Sequence, residues 1–370
     1  DYRRWGTSLN SINKMALTVI VNKGIVGISV TNVQLLESES LNGTYTAISG
    51  QTNVLVSSLP VTVTNVNDNS KYLKMVALGL CGTEEKLIIT GLPTAWSTED
   101  PMTTAKSFGG SAGTATATFA FGGNQPSGCA EYYNGTAWSN NGSMTRPVQY
   151  GTSFGDASDA YSIGGTNTSG VMTNFTSAWN GFSWAICQIY PALSQLSAGT
   201  GTGNAGLVMG GSSFPSGYDS CSTEWNGSAW SNGGNLQVAR SQQAASGTQT
   251  AALMVTGNNS GNKVNCTEEY DGVSWSLISG GNVNTARLNP SAAGTQNSTI
   301  LAGGSLGYPN VNPLVCTEEY NGTTWSTKGG LTNCRAGAGM TSGASNADLM
   351  FGGMNSIGVQ GIRCTEMFNG

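Results

Sequence analysis

The sequence of 370 residues has no histidine and few charges, since Asp, Glu, Lys and Arg together make up only 9% of it. Histidine is a frequent general base and metal ligand, so its absence disfavours hydrolases of the Ser-His type and oxidases that hold copper with imidazole. A net charge of -5 opposes nucleic-acid binding, which needs clustered Lys and Arg. We therefore expect a protein that is not an enzyme, needs no cofactor or metal and has no nucleic-acid partner.

Long hydrophobic runs are absent as well. The most apolar stretch, Met15 to Val30, is interrupted by Asn22-Lys23-Gly24, which indicates a hairpin turn and not a membrane span. Arg3 and Arg4 are not followed by an unbroken apolar segment, so the start of the chain does not resemble a signal peptide. We expect no membrane insertion.

A tight-turn pair, Asn-Gly or Asp-Gly, occurs six times directly after an aromatic residue. In the first five copies a Trp follows three residues after the Gly, whereas Trp96 has the same Trp-Ser ending without a turn before it. The aromatic residues are Tyr133, Trp179, Trp225, Tyr270, Tyr320 and Phe368, and the tryptophans that follow the first five are Trp138, Trp184, Trp230, Trp275 and Trp325. The chain is therefore built from repeats.

Each repeat also contains an apolar run that ends at a diglycine or its equivalent, such as Phe119-Ala120-Phe121 before Gly122-Gly123. A short apolar run bounded by glycines is typical of a buried strand. This strand, the hairpin and a further strand in the segment after each Trp give four strands per unit. Successive Trp residues are 42, 46, 46, 45 and 50 residues apart, which is the period of propeller blades.

The two ends of the repeat region predict how the ring closes. Six turns and six Trp residues form six blades only if both termini contribute to one blade, with the strand of Trp96 paired to the strand of Phe368. Such pairing removes exposed sheet edges. We predict an all-β chain with a six-bladed propeller over residues 93–370.

The turn sequence predicts the register of each hairpin. Asn-Gly between apolar runs favours a two-residue type I′ turn with positive φ at both residues. In that register Glu318 lies opposite Trp325, on the face that also carries Cys316 and Tyr320.

Charged residues recur at fixed positions of the repeat. A repeated position serves the repeat, so we expect the glutamates to pair with the recurrent cations as structural elements and not as catalytic carboxylates. The glutamates are Glu131, Glu268, Glu318 and Glu366, and the cations are Lys106, Arg146, Arg240, Arg287 and Arg335.

Five of the eight cysteines occupy equivalent positions, namely Cys129, Cys221, Cys266, Cys316 and Cys364. Equivalent positions in adjacent blades are roughly 15 Å apart, whereas a disulfide needs Cα atoms within about 7 Å. We expect buried free thiols at these five positions. The sequence leaves open the pairing of Cys81, Cys187 and Cys334, and it has no Cys-x-x-Cys metal motif.

The order of apolar run, diglycine, Tyr and Trp resembles the kelch repeat over about three quarters of the chain. The fuller form at Cys316 to Ser326, Cys-Thr-Glu-Glu-Tyr-Asn-Gly-x-x-Trp-Ser, is similar to kelch-like repeats in structural proteins of tailed phages, marine ones especially. This resemblance implies a kelch-like propeller in a virion or tail fibre. The second unit departs from it, with Phe175 at the Cys position and Ser177 at the Glu position, so its outer strands are candidates for a specific role.

Residues 1–92 lack the repeat but contain several short strand-like runs separated by turn residues. They predict a small β-rich domain, sandwich-like or barrel-like, that precedes the propeller. The junction is expected within Thr90 to Thr94, which contains Gly91 and Pro93.

Irregular loops are better candidates for binding than the repeated positions, because loops on a rigid scaffold carry specificity. The two longest hold the candidate rim residues Phe214, Tyr218, Tyr308 and Asn310. Aromatic rings beside Asn and Gly can stack on sugar rings, and they can equally serve to cover blade edges.

The leading hypothesis is a non-enzymatic virion structural protein: a tail fibre, adhesin or decoration protein. Residues 1–92 would dock to other virion proteins, and the propeller would meet a host-surface glycan or receptor. The alternative is a secreted or cell-surface carbohydrate-binding propeller of bacterial origin. The sequence is compatible with a homo-oligomer and does not distinguish tail from capsid.

Overall fold

In the computed structural model the chain forms two compact units, Asp1–Thr94 and Ala95–Gly370. The structure describes residues 95–124, 127–213, 217–307, 312–341, 347–355 and 361–369, together with seven strands of the first unit. Every regular element in these residues is a β-strand, which confirms the all-β prediction. No described segment forms a helix that could cross a membrane.

The first unit contains two antiparallel sheets. Its strands are β1 Met15–Val19, β2 Val30–Ser38, β3 Thr46–Ala47, β4 Val54–Leu55, β5 Val61–Val66, β6 Tyr72–Gly79 and β7 Glu84–Thr90. Strand β1 pairs with β5, and the larger sheet has the order β3-β2-β6-β7 with β4 also on β2. The predicted turn at Asn22-Lys23-Gly24 lies outside the described residues, and the partner of β1 is β5 and not the next strand along the chain.

The second unit is a six-bladed propeller, as predicted, and each blade is a four-stranded antiparallel sheet. The strands of each blade are given from the centre outwards. Blade 1 comprises β9 Gly110–Thr114, β10 Ala117–Phe121, β11 Cys129–Tyr133 and β12 Trp138–Ser143, and blade 2 comprises β13 Thr152–Gly155, β14 Ala160–Ile163, β15 Phe175–Trp179 and β16 Trp184–Ile189. Blade 3 comprises β17 Ala198–Thr202, β18 Ala205–Met209, β21 Ser222–Trp225 and β22 Trp230–Asn232. Blade 4 comprises β23 Ala244–Thr248, β24 Ala251–Val255, β27 Thr267–Tyr270 and β28 Trp275–Leu277, and blade 5 comprises β29 Ser291–Thr295, β30 Ser298–Ala302, β31 Thr317–Tyr320 and β32 Trp325–Lys328. Blade 6 comprises β33 Gly339–Thr341, β34 Leu349–Phe351, β35 Thr365–Asn369 and β8 Ala95–Glu99. Blades 3 and 4 add the short hairpins β19 Ser212–Ser213 with β20 Gly217–Tyr218, and β25 Asn258–Asn259 with β26 Asn262–Lys263.

The composition of each strand follows its distance from the axis. The second strands carry the apolar runs and are almost wholly buried between blades, as in β24. The innermost strands are rich in Gly, Ala, Ser and Thr because they contact their neighbours around the ring, including β33 with β9. A Cβ added at Gly199 would lie 2.6 Å from the carbonyl oxygen of Ser153 in the neighbouring blade. Small residues therefore allow six strands to converge.

The closing blade confirms the predicted pairing of the ends. Strand β35 pairs antiparallel with β8, and Phe368 lies opposite Trp96 with ring centroids 5.3 Å apart. Both side chains are buried. The indole N–H of Trp96 donates to Thr317 Oγ1 of blade 5 at 2.9 Å. The first strand of the propeller thus completes the sheet of its last blade.

The hairpin register differs from the prediction. Tyr320 and not Glu318 lies opposite Trp325, because the loop between the strands has four residues. The side chain of Asn321 accepts from the backbone N–H groups of Thr323 and Thr324 at 3.0 and 2.9 Å. Only the glycine of the turn pair, Gly322, has positive φ, at 91°. The type I′ prediction is therefore wrong, since the Asn side chain and not a second left-handed residue organises the loop.

A ring of backbone hydrogen bonds surrounds the axis. Six residues, one ahead of each innermost strand, have φ between 50° and 61°. The N–H of each donates to the carbonyl of its counterpart in the neighbouring blade, over 2.7 to 3.1 Å, and the circle is complete. In order these residues are Phe108, Tyr150, Leu196, Gln242, Asn289 and Gly337. We call them the axial ring.

A second contact joins adjacent blades farther out. The indole N–H of the outer-strand Trp donates to a hydroxyl at the start of the third strand of the preceding blade. Five blades show this bond: Trp96 to Thr317, Trp138 to Thr365, Trp230 to Thr176, Trp275 to Ser222 and Trp325 to Thr267, at 2.9 to 3.3 Å. Blade 2 is the exception, because Ala130 stands where Trp184 would need the hydroxyl.

Candidate functional site

Four blades hold a buried cation against a buried carboxylate. Arg287 of blade 5 forms an ion pair with Glu318, and it also donates to the carbonyl oxygens of Thr285, Gly303 and Cys316 at 3.0 to 3.2 Å. The same arrangement pairs Arg240 with Glu268, Arg335 with Glu366 and, at 3.7 Å, Lys106 with Glu131. The glutamates thus pair with recurrent cations, as expected. We call this position of the blade the ion-pair niche.

The niche also fixes the connection that enters each blade. Glu318 accepts from the backbone N–H groups of Asn284 and Thr285 at 2.7 and 3.3 Å, so its charge is satisfied from two directions. Burial lowers the pKa of the Arg287 guanidinium, and the Glu318 carboxylate opposes that shift. The pKa of Lys106 is lowered by burial in the same way. These carboxylates are therefore bound by side chains and backbone groups of the scaffold.

Blades 2 and 3 have lost both members of the pair. In the blades with an ion pair, the cation lies four residues after a buried residue whose backbone N–H donates to a carbonyl just before the third strand of the preceding blade. The equivalent buried residue of blade 2 is Met144. Val148 and Ser177 therefore replace the cation and the carboxylate in blade 2, and Ser194 and Thr223 replace them in blade 3. The expectation that Arg146 is one of the recurrent cations is wrong, because it precedes the equivalent position by two residues.

The cysteines at the start of the third strands are free thiols, as expected, but they are not buried. Cys129 and Cys221 are exposed, and Cys266, Cys316 and Cys364 are half-buried. The prediction of buried thiols is therefore wrong. Where an ion pair is present, the backbone carbonyl of the cysteine takes part in the niche, as where Arg335 donates to the Cys364 oxygen at 2.9 Å. Cys187 and Cys334 are also free, and Cys81 lies outside the described residues.

The vacant niche of blade 2 is an open cleft of about 160 Å³. Val148 and Ser177 line it together with Gly164. Gly164 is equivalent to Gly303 of blade 5, whose carbonyl oxygen accepts from Arg287. Short side chains thus leave open the space that a guanidinium and a carboxylate fill in blade 5. Ser162, Thr173 and Asn167 add polar groups to the lining.

Arg146 and Phe175 form one wall of this cleft. The guanidinium carbon of Arg146 lies 3.9 Å from the centre of the Phe175 ring, and the Arg146 side chain is exposed. An aromatic ring under the face of a guanidinium holds it in place and leaves its N–H edges free. Phe175 stands at the cysteine position of the repeat, so both residues depart from the pattern of the other blades.

The outer edge of blade 2 is unusual too. Strand β16 exposes Ile186 and Ile189, whereas the outer strand β12 of blade 1 exposes mainly Ser, Asn and Gly. The Nε1 of Trp184, in the same strand, has no hydrogen-bond partner among the described residues. Blade 2 therefore combines the missing ion pair, which blade 3 also lacks, with an apolar outer strand and an unpaired indole.

A wider depression of about 470 Å³ lies at the hairpin-turn end of blades 1 and 2. Its one charged lining residue, Asp156, already accepts from the backbone N–H groups of Ser158 and Asp159 at 2.8 and 3.0 Å. The depression has no free charged group, so the smaller cleft is the better candidate site. Among the described residues, no three His, Cys, Asp or Glu side chains are grouped to hold a metal ion.

Of the four predicted rim residues, the structure describes only Tyr218. Tyr218 lies in β20, where it pairs with Ser212, and it is half-buried. Phe214, Tyr308 and Asn310 lie outside the described residues. The cleft that the structure does show was missed except for Phe175 and Ser177. Counting ten residues from Trp138 to Val148, as from Trp230 to Arg240, would have revealed it.

No family model and no curated protein matches the chain. A search of solved structures finds the structure of YjhT, with a TM-score of 0.63 and 14% sequence identity. The match covers 72% of this chain and 95% of that one. The likeness shows that this chain shares the propeller fold.

Proposed function

We propose that this chain is a non-enzymatic recognition protein whose propeller binds a surface glycan or receptor through the cleft of blade 2. One observation carries the proposal: a niche that is filled by an ion pair in four blades is open in blade 2, and an exposed Arg146 and a half-buried Phe175 flank it. Hydroxyl groups, an amide and an aromatic ring are the groups that bind sugars. No Asp or Glu lines the cleft, so it offers no carboxylate pair for glycoside hydrolysis.

Refilling the niche tests the site. We expect Val148→Arg with Ser177→Glu to rebuild the pair seen in blade 5 and to abolish binding of the full chain on a glycan array and to host or bacterial cells. Lys263→Gln, which removes an exposed cation of blade 4, should leave binding unchanged. Melting curves check that both variants remain folded. Binding that survives the refilled niche contradicts the proposal.

The setting proposed for this binding is a virion, where residues 1–92 attach the chain to other particle proteins. The similarity of the repeat to phage structural proteins supports this setting. Antibodies against the propeller should label purified virions from a lysate. Protein found free in the medium and absent from particles would favour the alternative, a secreted or cell-surface carbohydrate-binding protein.

A further inference from the structure

Arg146 is the one charged side chain that lines the blade 2 cleft. The buried cations of blades 1, 4, 5 and 6 each face a glutamate. No ion pair joins Arg146 to a carboxylate of the described residues, and no hydrogen bond engages its guanidinium there. The cleft therefore has an unneutralised positive charge at its wall.

The geometry of this charge favours an oxyanion ligand. The guanidinium lies over the Phe175 ring, and its N–H groups, all of which lie in the guanidinium plane, are not used by that contact. A planar fork of N–H donors matches the two oxygens of a carboxylate or sulfate group better than it matches a neutral hydroxyl. The aromatic contact also restricts the side chain before a ligand arrives, which reduces the entropy lost on binding.

The remaining polar groups of the cleft favour hydroxyls in the same ligand. Ser162 and Ser177 are buried, and within the described residues neither hydroxyl makes a hydrogen bond. Thr173 is different, because its hydroxyl already donates to the Gly164 carbonyl at 3.1 Å. Two unused hydroxyls inside and one cation at the wall are complementary to a sugar that carries an acidic substituent.

We infer that the ligand of the blade 2 cleft is an acidic saccharide, with its carboxylate or sulfate on Arg146 and its hydroxyls on Ser162 and Ser177. This inference rests on the proposed function and names its ligand class. The chain has a net charge of -5, so a general attraction for polyanions does not account for such binding. Recognition depends on one local contact.

Binding of defined oligosaccharides to the full chain tests the inference. The probes are alginate oligomers for carboxylates, carrageenan oligomers for sulfates and dextran oligomers as the neutral arm, each titrated by calorimetry. We expect an acidic probe to bind, and Arg146→Gln to weaken it by about tenfold or more because a charged hydrogen bond is lost. Arg146→Lys should retain part of the affinity, and Lys263→Gln all of it.

The arms separate the possible outcomes. Preference for alginate or for carrageenan identifies the acidic group. Neutral dextran that binds as tightly as the acidic probes, with Arg146→Gln unchanged, overturns the inference and leaves the proposed function intact. If no saccharide binds in any arm while a protein receptor is captured through the same cleft, the inference also fails. Binding that persists in the refilled-niche variant contradicts the proposed function itself.

Discussion

At the scale of single residues, each buried cation of the propeller depends on the buried glutamate that it pairs with. A lone guanidinium in the interior is costly, and Arg287 is tolerated because Glu318 and three carbonyls surround it. The chain itself shows which change is allowed, since blade 2 replaces the pair with Val148 and Ser177 together. Each blade therefore has both the cation and the carboxylate, or neither of them.

The first prediction concerns this coupling. Glu318→Ser should destabilise the propeller by about 3–5 kcal/mol, because it leaves Arg287 buried without a counter-charge. Adding Arg287→Val, which copies blade 2, should recover part of the loss, with a coupling energy of about 0.5–3 kcal/mol. Urea unfolding followed by tryptophan fluorescence measures both. Losses that simply add would show that the two residues act independently.

The second prediction concerns the blade that lacks an indole acceptor. Ala130→Ser should place a hydroxyl near Trp184 Nε1 and stabilise the protein by about 1 kcal/mol. Ala120→Ser is the matched control, since Ala120 and Ala130 are both 1% exposed. A serine at residue 120 buries a hydroxyl but gives the Trp184 indole no hydrogen-bond acceptor. Calorimetry should show a higher melting temperature for the first variant only. Equal destabilisation by both substitutions contradicts the assignment.

Residue-level reasoning from sequence correctly joined the repeated glutamates to cations but misplaced Arg146. The error arose because Arg146 has the right residue type, whereas position relative to Trp138 decides which side chain enters the niche. Exposure of the cysteines was also missed. In the blades with an ion pair, the niche engages the backbone carbonyl of the cysteine, and a side-chain pattern does not reveal such a contact.

At the scale of elements, the axial ring fixes how the inner strands meet. Five of its six residues are not glycine, although φ near 55° disfavours other residues. They adopt it because each N–H and carbonyl is bonded to a neighbouring blade. Gly337 is the exception, and the Phe108 ring occupies the space that its side chain would need, with Cε1 2.4 Å from an added Cβ.

The third prediction uses that glycine. Gly337→Ala should destabilise the propeller by more than Gly280→Ala does. At Gly280, φ is 79° and an added Cβ meets nothing within 4 Å, so its alanine variant isolates the backbone strain, about 1–2 kcal/mol. The difference between the urea unfolding midpoints of the two variants measures the cost of the contact with Phe108. Equal losses would mean that the Phe108 ring moves aside freely.

Strands were easier to predict than loops. The apolar runs identified the second strand of each blade because burial between two neighbouring sheets demands a continuous apolar segment. The Asn-Gly pair did not specify its loop length, since the same residues serve a two-residue turn and a four-residue loop. In this chain the Asn321 side chain stabilises the four-residue loop, because it accepts hydrogen bonds from backbone N–H groups beyond the Asn-Gly pair.

At the scale of the whole molecule, the propeller is a closed ring in which blades 2 and 3 lack the ion pair and blade 2 has further differences. Blade 2 combines the open cleft, the Arg146 and Phe175 wall, the unpaired indole and the apolar outer strand. The closed ring of the other five blades holds it in place. A rigid repeated scaffold with one divergent unit is suited to binding, because variation there does not disturb closure.

The fourth prediction concerns closure. Trp96→Ala should cost about 3–5 kcal/mol and should expose the amides of β35 to hydrogen exchange, because β8 and β35 are joined only through their pairing. Trp325→Ala removes a similarly buried ring from blade 5, whose strands are continuous in the chain, and should leave β35 protected. Equal protection of β35 in both variants contradicts a special role for Trp96.

The pairing of β8 with β35 also bears on how the protein is made. A ribosome synthesises Ala95–Glu99 before any other propeller strand and Thr365–Asn369 after all of them. Throughout elongation the first strand has an unsatisfied edge, which makes nascent chains on neighbouring ribosomes potential partners. The ring can close only after the last strand has left the exit tunnel, so the final blade is the last blade to fold.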